Sequence, residues 1–292
     1  MPTSDSPSGP IAFIGGGNMA RSLIGGLVAR GTSAASIRVA EPMDALRDGL
    51  AKDFGVHVFS DNRQAADGAA VWILAVKPQV MRQVCEALAP LAQEARPLIV
   101  SIAAGITSAQ LGRWLGGGEL YDGGLSDSVI RIVRCMPNTP ALLGAGVTGL
   151  FANAAVDAAG HAQAETLLSA AGATVWIEDE AHMDAVTAVS GSGPAYVFLL
   201  AEAMEAAARS EGLSDDAART LVLQTVLGAA RMLTESGEAP AELRRRVTSP
   251  GGTTQAAVET FEAGGLRDLV AQAIRNATER GKQLSAANDA DA

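Results

Sequence analysis

Four apolar residues, Ile11–Ile14, run directly into three glycines, Gly15–Gly17, and then into a helix-length segment that begins at Asn18. Little else in a chain restricts its fold so tightly. The run lacks polar alternation, as expected of a strand covered on both faces in a parallel sheet. Gly15, Gly17 and Ala20 make a G-x-G-x-x-A pattern at the mouth of the helix. Glycines let such a turn tighten and let the backbone approach a pyrophosphate, whose charge then rests on the positive helix end. By itself the pattern also suits a plain βα turn. Its position after a strand and before a helix points to dinucleotide binding.

The same rhythm repeats. Apolar runs at Ile37–Glu41, Val56–Phe59, Ala70–Val76, Leu98–Ile102, Val129–Met136, Val147–Phe151 and Thr174–Ile177 are separated by helix-length or turn segments. This predicts a Rossmann-type, doubly wound α/β domain with a parallel sheet over residues 10–177. The glycine-rich stretch Gly116–Asp127 reads as a surface loop. Beyond Glu180 the strand signals stop, and an all-helical domain is expected over 178–285. Ser214, followed by Asp215 and Asp216, is a good N-cap for one of its helices. The segments "VFLLAEAMEAAA" and "LVLQTVLGAA" are apolar around most of their circumference. So small a helical domain has little interior for them, so a homodimer is expected to bury the excess; a tightly packed monomeric bundle is the alternative. Residues 1–9 and 286–292 read as disordered.

The 292 residues carry a formal net charge of -10, which argues against nucleic-acid or anionic-membrane partners. No apolar run approaches the roughly 20 residues that span a bilayer. The first ten residues lack a basic start and an apolar core, so a cytoplasmic protein is expected. Cys85 and Cys135 suggest no disulfide framework, and His57, His161 and His182 are not clustered, so no metal site is expected.

Several further segments offer chemistry. Glu41 ends the second apolar run, where an acid can accept hydrogen bonds from the adenosine ribose and favour NAD, unless Arg38 or Arg47 offsets it. Lys77 and Pro78 follow the fourth run, at the sheet edge where ligands bind; Lys77 could face a phosphate or be a solvated loop residue. In "MPNTPAL" two prolines bracket Asn138 and Thr139, and in "SGSGPAY" Pro194 sits near a helix start. In "VTSPGGTTQAA", Pro250 ends one element, Gly251 and Gly252 allow a turn, and Thr253 and Thr254 open a helix. Its first N–H groups, with the Ser249 and threonine hydroxyls, suit a carboxylate; a self-capped helix is the plainer reading.

Together "FIGGGNMA", "AVKPQ", "RCMPNTPAL", "SGSGPAY" and above all "VTSPGGTTQAAVETFEAGGLR" resemble the pyrroline-5-carboxylate reductase family, in order and over residues 10 to 285. The resemblance implies a Rossmann domain and a helical domain that interlocks into a homodimer, often assembled further into a ring of dimers. It implies reduction of L-1-pyrroline-5-carboxylate to L-proline, the last step of proline biosynthesis, with NADP(H) or NAD(H). Carried over by motif, Gly15, Gly16, Gly17, Asn18, Met19 and Ala20 would hold the pyrophosphate. Asn62, Ala75, Val76, Lys77, Pro78 and Ala104 would line the rest of the cofactor, with Glu41 at the ribose. Ser249, Gly251, Gly252, Thr253 and Thr254 would bind the substrate carboxylate, and the Thr254 hydroxyl would face the ring nitrogen as the catalytic group. The rivals are a β-hydroxyacid dehydrogenase-like or imine reductase-like oxidoreductase and a non-catalytic dinucleotide-binding module. The first would carry a catalytic lysine early in the helical domain, yet Lys52, Lys77 and Lys282 are the only lysines.

Overall fold

The computed structural model describes residues 9–117 and 129–290. The loop expected at Gly116–Asp127 lies, from residue 118, outside the described residues, as do residues 1–8 of the expected leader. One compact unit comprises the described residues up to Gly191 together with those from Ala277 onward; the second runs from Ser192 to Asn276.

In the first unit the order is β1 (Ile11–Ile14), α1 (Asn18–Ala29), β2 (Ile37–Ala40), α2 (Asp44–Phe54), β3 (His57–Phe59), α3 (Asn62–Ala66), β4 (Val71–Leu74) and α4 (Pro78–Ala95). There follow β5 (Leu98–Ser101), α5 (Ser108–Trp114), β6 (Ile132–Met136), β7 (Gly146–Ala152), α6 (Ala158–Ser169), β8 (Gly172–Trp176) and the short α7 (Met183–Val186). All eight expected strands form. They make one sheet in the order β3-β2-β1-β4-β5-β6-β7-β8. Every neighbouring pair is parallel except β6 and β7, so the parallel sheet expected from the apolar runs is broken at one place. The cause is loop length. Parallel neighbours need a crossover of about a dozen residues or more, and the chain from Pro137 to Ala145 holds only a 3-10 turn, Thr139–Leu143.

Both faces of the sheet are covered. Ile11 and Phe13 of β1 enter a core with Leu23, Ile24 and Leu27 of α1 and Leu167 and Leu168 of α6. Ala12 and Ile14 enter another, with Met81, Cys85 and Leu88 of α4 and Leu111 and Trp114 of α5. Alternate strand residues thus serve opposite layers, which is why the run shows no polar alternation.

The compact units divide at Gly191, inside the helical region expected over 178–285. Residues 178–191 stay with the sheet, because Glu180 and Asp184 form ion pairs with Arg134 of β6. The last helix, α12, also returns to this unit. Gln110 Nε2 donates to the Ser285 carbonyl at 3.1 Å, and Asn288 Nδ2 donates to the Gly105 carbonyl at 2.9 Å. These bonds account for helix as far as Ala290, where disorder was expected from residue 286.

The second unit consists of α8 (Gly193–Ser210), α9 (Asp215–Glu235), α10 (Pro240–Arg246), α11 (Thr253–Ala263) and the opening turns of α12 (Leu266–Ala290). Pro194 sits in the first turn of α8, and the Ser214 side chain accepts the Ala217 N–H to cap α9. This unit buries little of its own apolar surface. Ala201, Ala218, Val222 and Leu243 are buried, whereas Phe198 and Leu199 are each 66% exposed, and Leu227, Leu233, Phe261 and Leu269 also face outward. A tightly packed monomeric bundle is therefore not what this unit forms.

Among the described residues no helix is long and apolar enough to cross a membrane, and no cluster of His, Cys, Asp or Glu could hold a metal ion. Cys85 and Cys135 are free and buried. Burial, with Glu86 adding to it, pushes the Cys85 thiol up to about 12, and burial pushes Cys135 well above its ordinary range. Both thiols stay protonated in the fold while unfolded thiols ionise near 9.0. Stability is therefore expected to fall as pH rises above about 9, the unfolded chain binding fewer protons. In the native protein neither thiol should react with a disulfide reagent at about pH 8, and both should react in denaturant; fast native labelling would contradict their burial.

Candidate active site

The carboxyl ends of β1, β2 and β4 meet where the strand order reverses, the usual position of a ligand crevice in such sheets. Three hydrogen bonds set the geometry: Gly15 N–H to the Ala40 carbonyl at 2.8 Å, Ala75 N–H to the Ile14 carbonyl at 2.8 Å, and Glu41 N–H to the Phe59 carbonyl at 2.9 Å. Gly15 has φ +105°, and a Cβ there would lie 2.7 Å from the Ala75 carbonyl oxygen. Only glycine permits that approach. Gly17 is the N-cap of α1, with no side-chain cap and open space where a Cβ would sit. Open backbone at an uncapped helix start fits a dinucleotide pyrophosphate.

The other expected cofactor residues stand at the same sheet edge. Gly17 and Asn18 are exposed and Met19 is half-buried, while Ala20 is buried in the core. Ala20 thus serves close helix–sheet packing, not direct contact with a ligand. Ala75 and Val76 leave β4 half-buried, Lys77 is the exposed N-cap of α4, and Pro78 fills its first turn. Asn62 opens α3 behind an Asp61 cap, and Ala104 lies exposed in the turn after β5. Glu41 is 7% exposed. Its carboxylate accepts the Gly16 N–H and the Met43 N–H, each at 3.0 Å.

The second unit carries the threonine turn. Val247 ends α10, Gly251 takes φ +71°, and Gly252 is the N-cap of α11. Two of the expected carboxylate donors are already used. The Gly252 N–H donates to the Ser249 carbonyl at 3.0 Å, and the Gly251 N–H donates to Gln255 Oε1 at 2.7 Å. Gln255 is itself held by Glu259, to which its Nε2 donates at 2.6 Å. No side chain caps α11, so the self-capped reading is not met. Among the described residues the Thr253 and Thr254 amides and hydroxyls take no partner. These four donors, on a turn that Gln255 braces, are free at an uncapped helix start.

Two side chains hold this framework: Arg134, which the sequence reading passed over, and Asn138, which it noted only as bracketed by prolines. Arg134, its side chain 5% exposed, lies within 3.2 Å of Glu180 and 3.5 Å of Asp184, and Glu180 also accepts the Ser108 N–H and hydroxyl. An arginine inside the apolar run of β6 was the available signal, since a buried cation requires a carboxylate. Asn138 is a pin: its Nδ2 donates to the Ser190 carbonyl at 3.1 Å and its Oδ1 accepts the Val147 N–H at 3.0 Å.

Comparison with known proteins agrees with this layout. A family model described as pyrroline-5-carboxylate reductase dimerisation matches residues 180–284, and one described as NADP oxidoreductase, coenzyme F420-dependent, matches residues 10–105. The dimerisation match explains the exposed apolar helices: this region associates with another copy. A pyrroline-5-carboxylate reductase of Pseudomonas aeruginosa is 54% identical over 275 residues, 94% of this chain and 96% of the relative. The solved structure of a pyrroline-5-carboxylate reductase from Coxiella burnetii has 43% identity and a TM-score of 0.88, covering 95% of this chain and 98% of that one. The Plasmodium falciparum pyrroline carboxylate reductase, solved with NADP bound, has 27% identity and a TM-score of 0.80 over 95% and 98% of the two chains. The chain belongs to the pyrroline-5-carboxylate reductase family.

Proposed function

We propose that Thr254, with the turn from Ser249, holds the substrate in this reductase, which uses NAD(P)H to reduce L-1-pyrroline-5-carboxylate to L-proline. The observation that carries the assignment is the set of unpartnered Thr253 and Thr254 amides and hydroxyls at an uncapped helix start. A helix N-terminus with free amides stabilises a carboxylate through charge-assisted hydrogen bonds. Gly251 and Gly252 keep the turn free of side chains, and Gln255 keeps it in shape.

Imine reduction adds a hydride to C5 and a proton to the ring nitrogen. NAD(P)H, when bound, supplies the hydride. The turn at Gly15–Met19 is the proposed pyrophosphate cradle, with Asn62, Ala75–Pro78 and Ala104 along the rest of the cofactor and Glu41 at the ribose. Holding two reactants in near-attack geometry lowers a barrier by about 7 to 11 kcal/mol in the best cases. No histidine occurs in these motifs. Thr254 Oγ1 therefore donates to the ring nitrogen and orients it, with solvent supplying the proton.

Removing the hydroxyl in Thr254→Ala should lower turnover about tenfold or more, while Thr254→Ser recovers most of it; an alanine variant within about twofold of wild type removes the role. The assay is NAD(P)H oxidation with pyrroline-5-carboxylate. Our reading of the working form is a cytoplasmic homodimer, with a ring of dimers as its larger assembly. The two free, buried thiols suit a reducing compartment.

A further inference from the structure

We infer that Glu41 makes this reductase select NADH over NADPH, although a solved relative is seen with NADP and the N-terminal family model bears that name. The inference rests on the cofactor cradle proposed above. Glu41 is not a surface glutamate free to swing aside. Its Oε2 accepts the Gly16 N–H and its Oε1 accepts the Met43 N–H, both at 3.0 Å, so the carboxylate is pinned from two directions at the cradle's rim. Each oxygen keeps a second lone pair for a ribose hydroxyl. A hydroxyl can donate to it. A 2′-phosphate cannot, and brings about −1.5 to −2 charge to the same place.

Three neighbouring arginines are already engaged. Arg47 Nη1 donates to the Glu41 and Pro42 carbonyls, both at 2.8 Å, and its Nη2 pairs with Asp44. Arg38 is spent on the Asp67 carbonyl, and Arg21 on Asp53. Arg63 lines a groove with Asp67 and Glu94 between α3 and α4. The segment leaving β2, Pro42-Met43-Asp44, adds no cation and one further carboxylate. A 2′-phosphate would therefore meet a fixed negative charge, with Arg47 and Arg21 already paired to Asp44 and Asp53.

The test is equilibrium binding to the full-length protein, followed by tryptophan fluorescence and by calorimetry, with NADH, NADPH, ADP-ribose and 2′-phospho-ADP-ribose. The wild type should hold each unphosphorylated ligand at least about tenfold tighter than its 2′-phosphorylated counterpart, and the gap should narrow with added salt as screening weakens the repulsion. Glu41→Gln keeps an acceptor but removes the charge, and should close most of the gap. A wild-type ratio near one, or one favouring NADPH, overturns the inference and leaves the cradle standing. So does a ratio indifferent to salt in wild type. Failure of all four ligands to bind overturns the cradle itself, and the inference with it.

Discussion

Arg134→Met should cost this protein about 3 to 5 kcal/mol of unfolding free energy, the usual range when one partner of a buried ion pair is removed. The side chain is 5% exposed and faces Glu180 at 3.2 Å and Asp184 at 3.5 Å. Methionine fills comparable space, so packing is not the main loss. What remains is two carboxylates, Glu180 and Asp184, that have lost their shared cation. Glu180 retains the Ser108 N–H at 2.7 Å and hydroxyl at 2.6 Å; Asp184 lies against Gly281 of α12. The triple variant Arg134→Met, Glu180→Gln, Asp184→Asn removes all three charges together and should regain most of the loss, because a neutral set carries no uncompensated ion. Urea unfolding with an unchanged slope reads both effects. A loss below about 1 kcal/mol for the single variant would place the ion pairs among the weak, solvated kind.

That network also marks how far the amino-acid sequence could be read. The strands were legible because a sheet covered on both sides demands unbroken apolar runs, and Ile11–Ile14 and Val71–Leu74 are fully buried, as such runs require. The glycine turn and the Thr253 helix start were legible because local backbone chemistry decides them: Gly15 and Gly251 hold positive φ, and no side chain crowds Gly17. Direction and partnership were harder. The reversal at β7 leaves no trace in periodicity, only in the short stretch before Gly146. Glu41 was visible as an acid in the right place, but not as the acceptor of the Gly16 and Met43 amides. The loss of the Gly251 and Gly252 amides to Gln255 and Ser249 depends on rotamer and turn type, which residue identity does not specify. The unit boundary at Gly191 follows from Glu180 and Asp184 reaching Arg134, a contact between segments far apart in the chain.

Backbone crowding gives the other large effect, and it falls outside every motif. Gly172→Ala should destabilise the fold by about 4 kcal/mol or more, combining backbone strain with overpacking. Gly172 opens β8 at φ +147°, and a Cβ there would lie 1.9 Å from the Gly146 carbonyl oxygen. Gly146 is its register partner at the start of β7, so the obstruction is main chain on both sides and no side chain can turn away. Relief requires β8 to part from β7, which breaks their parallel ladder. Gly144→Ala is the matched control. It too has positive φ, +68°, but its added Cβ would meet nothing within 4 Å. Strain alone should cost it about 1 to 2 kcal/mol. Thermal and urea unfolding of the two variants separate crowding from conformation: equal losses would mean that the 1.9 Å approach relaxes without cost, and that β8 is joined to the sheet less tightly than its register with β7 requires.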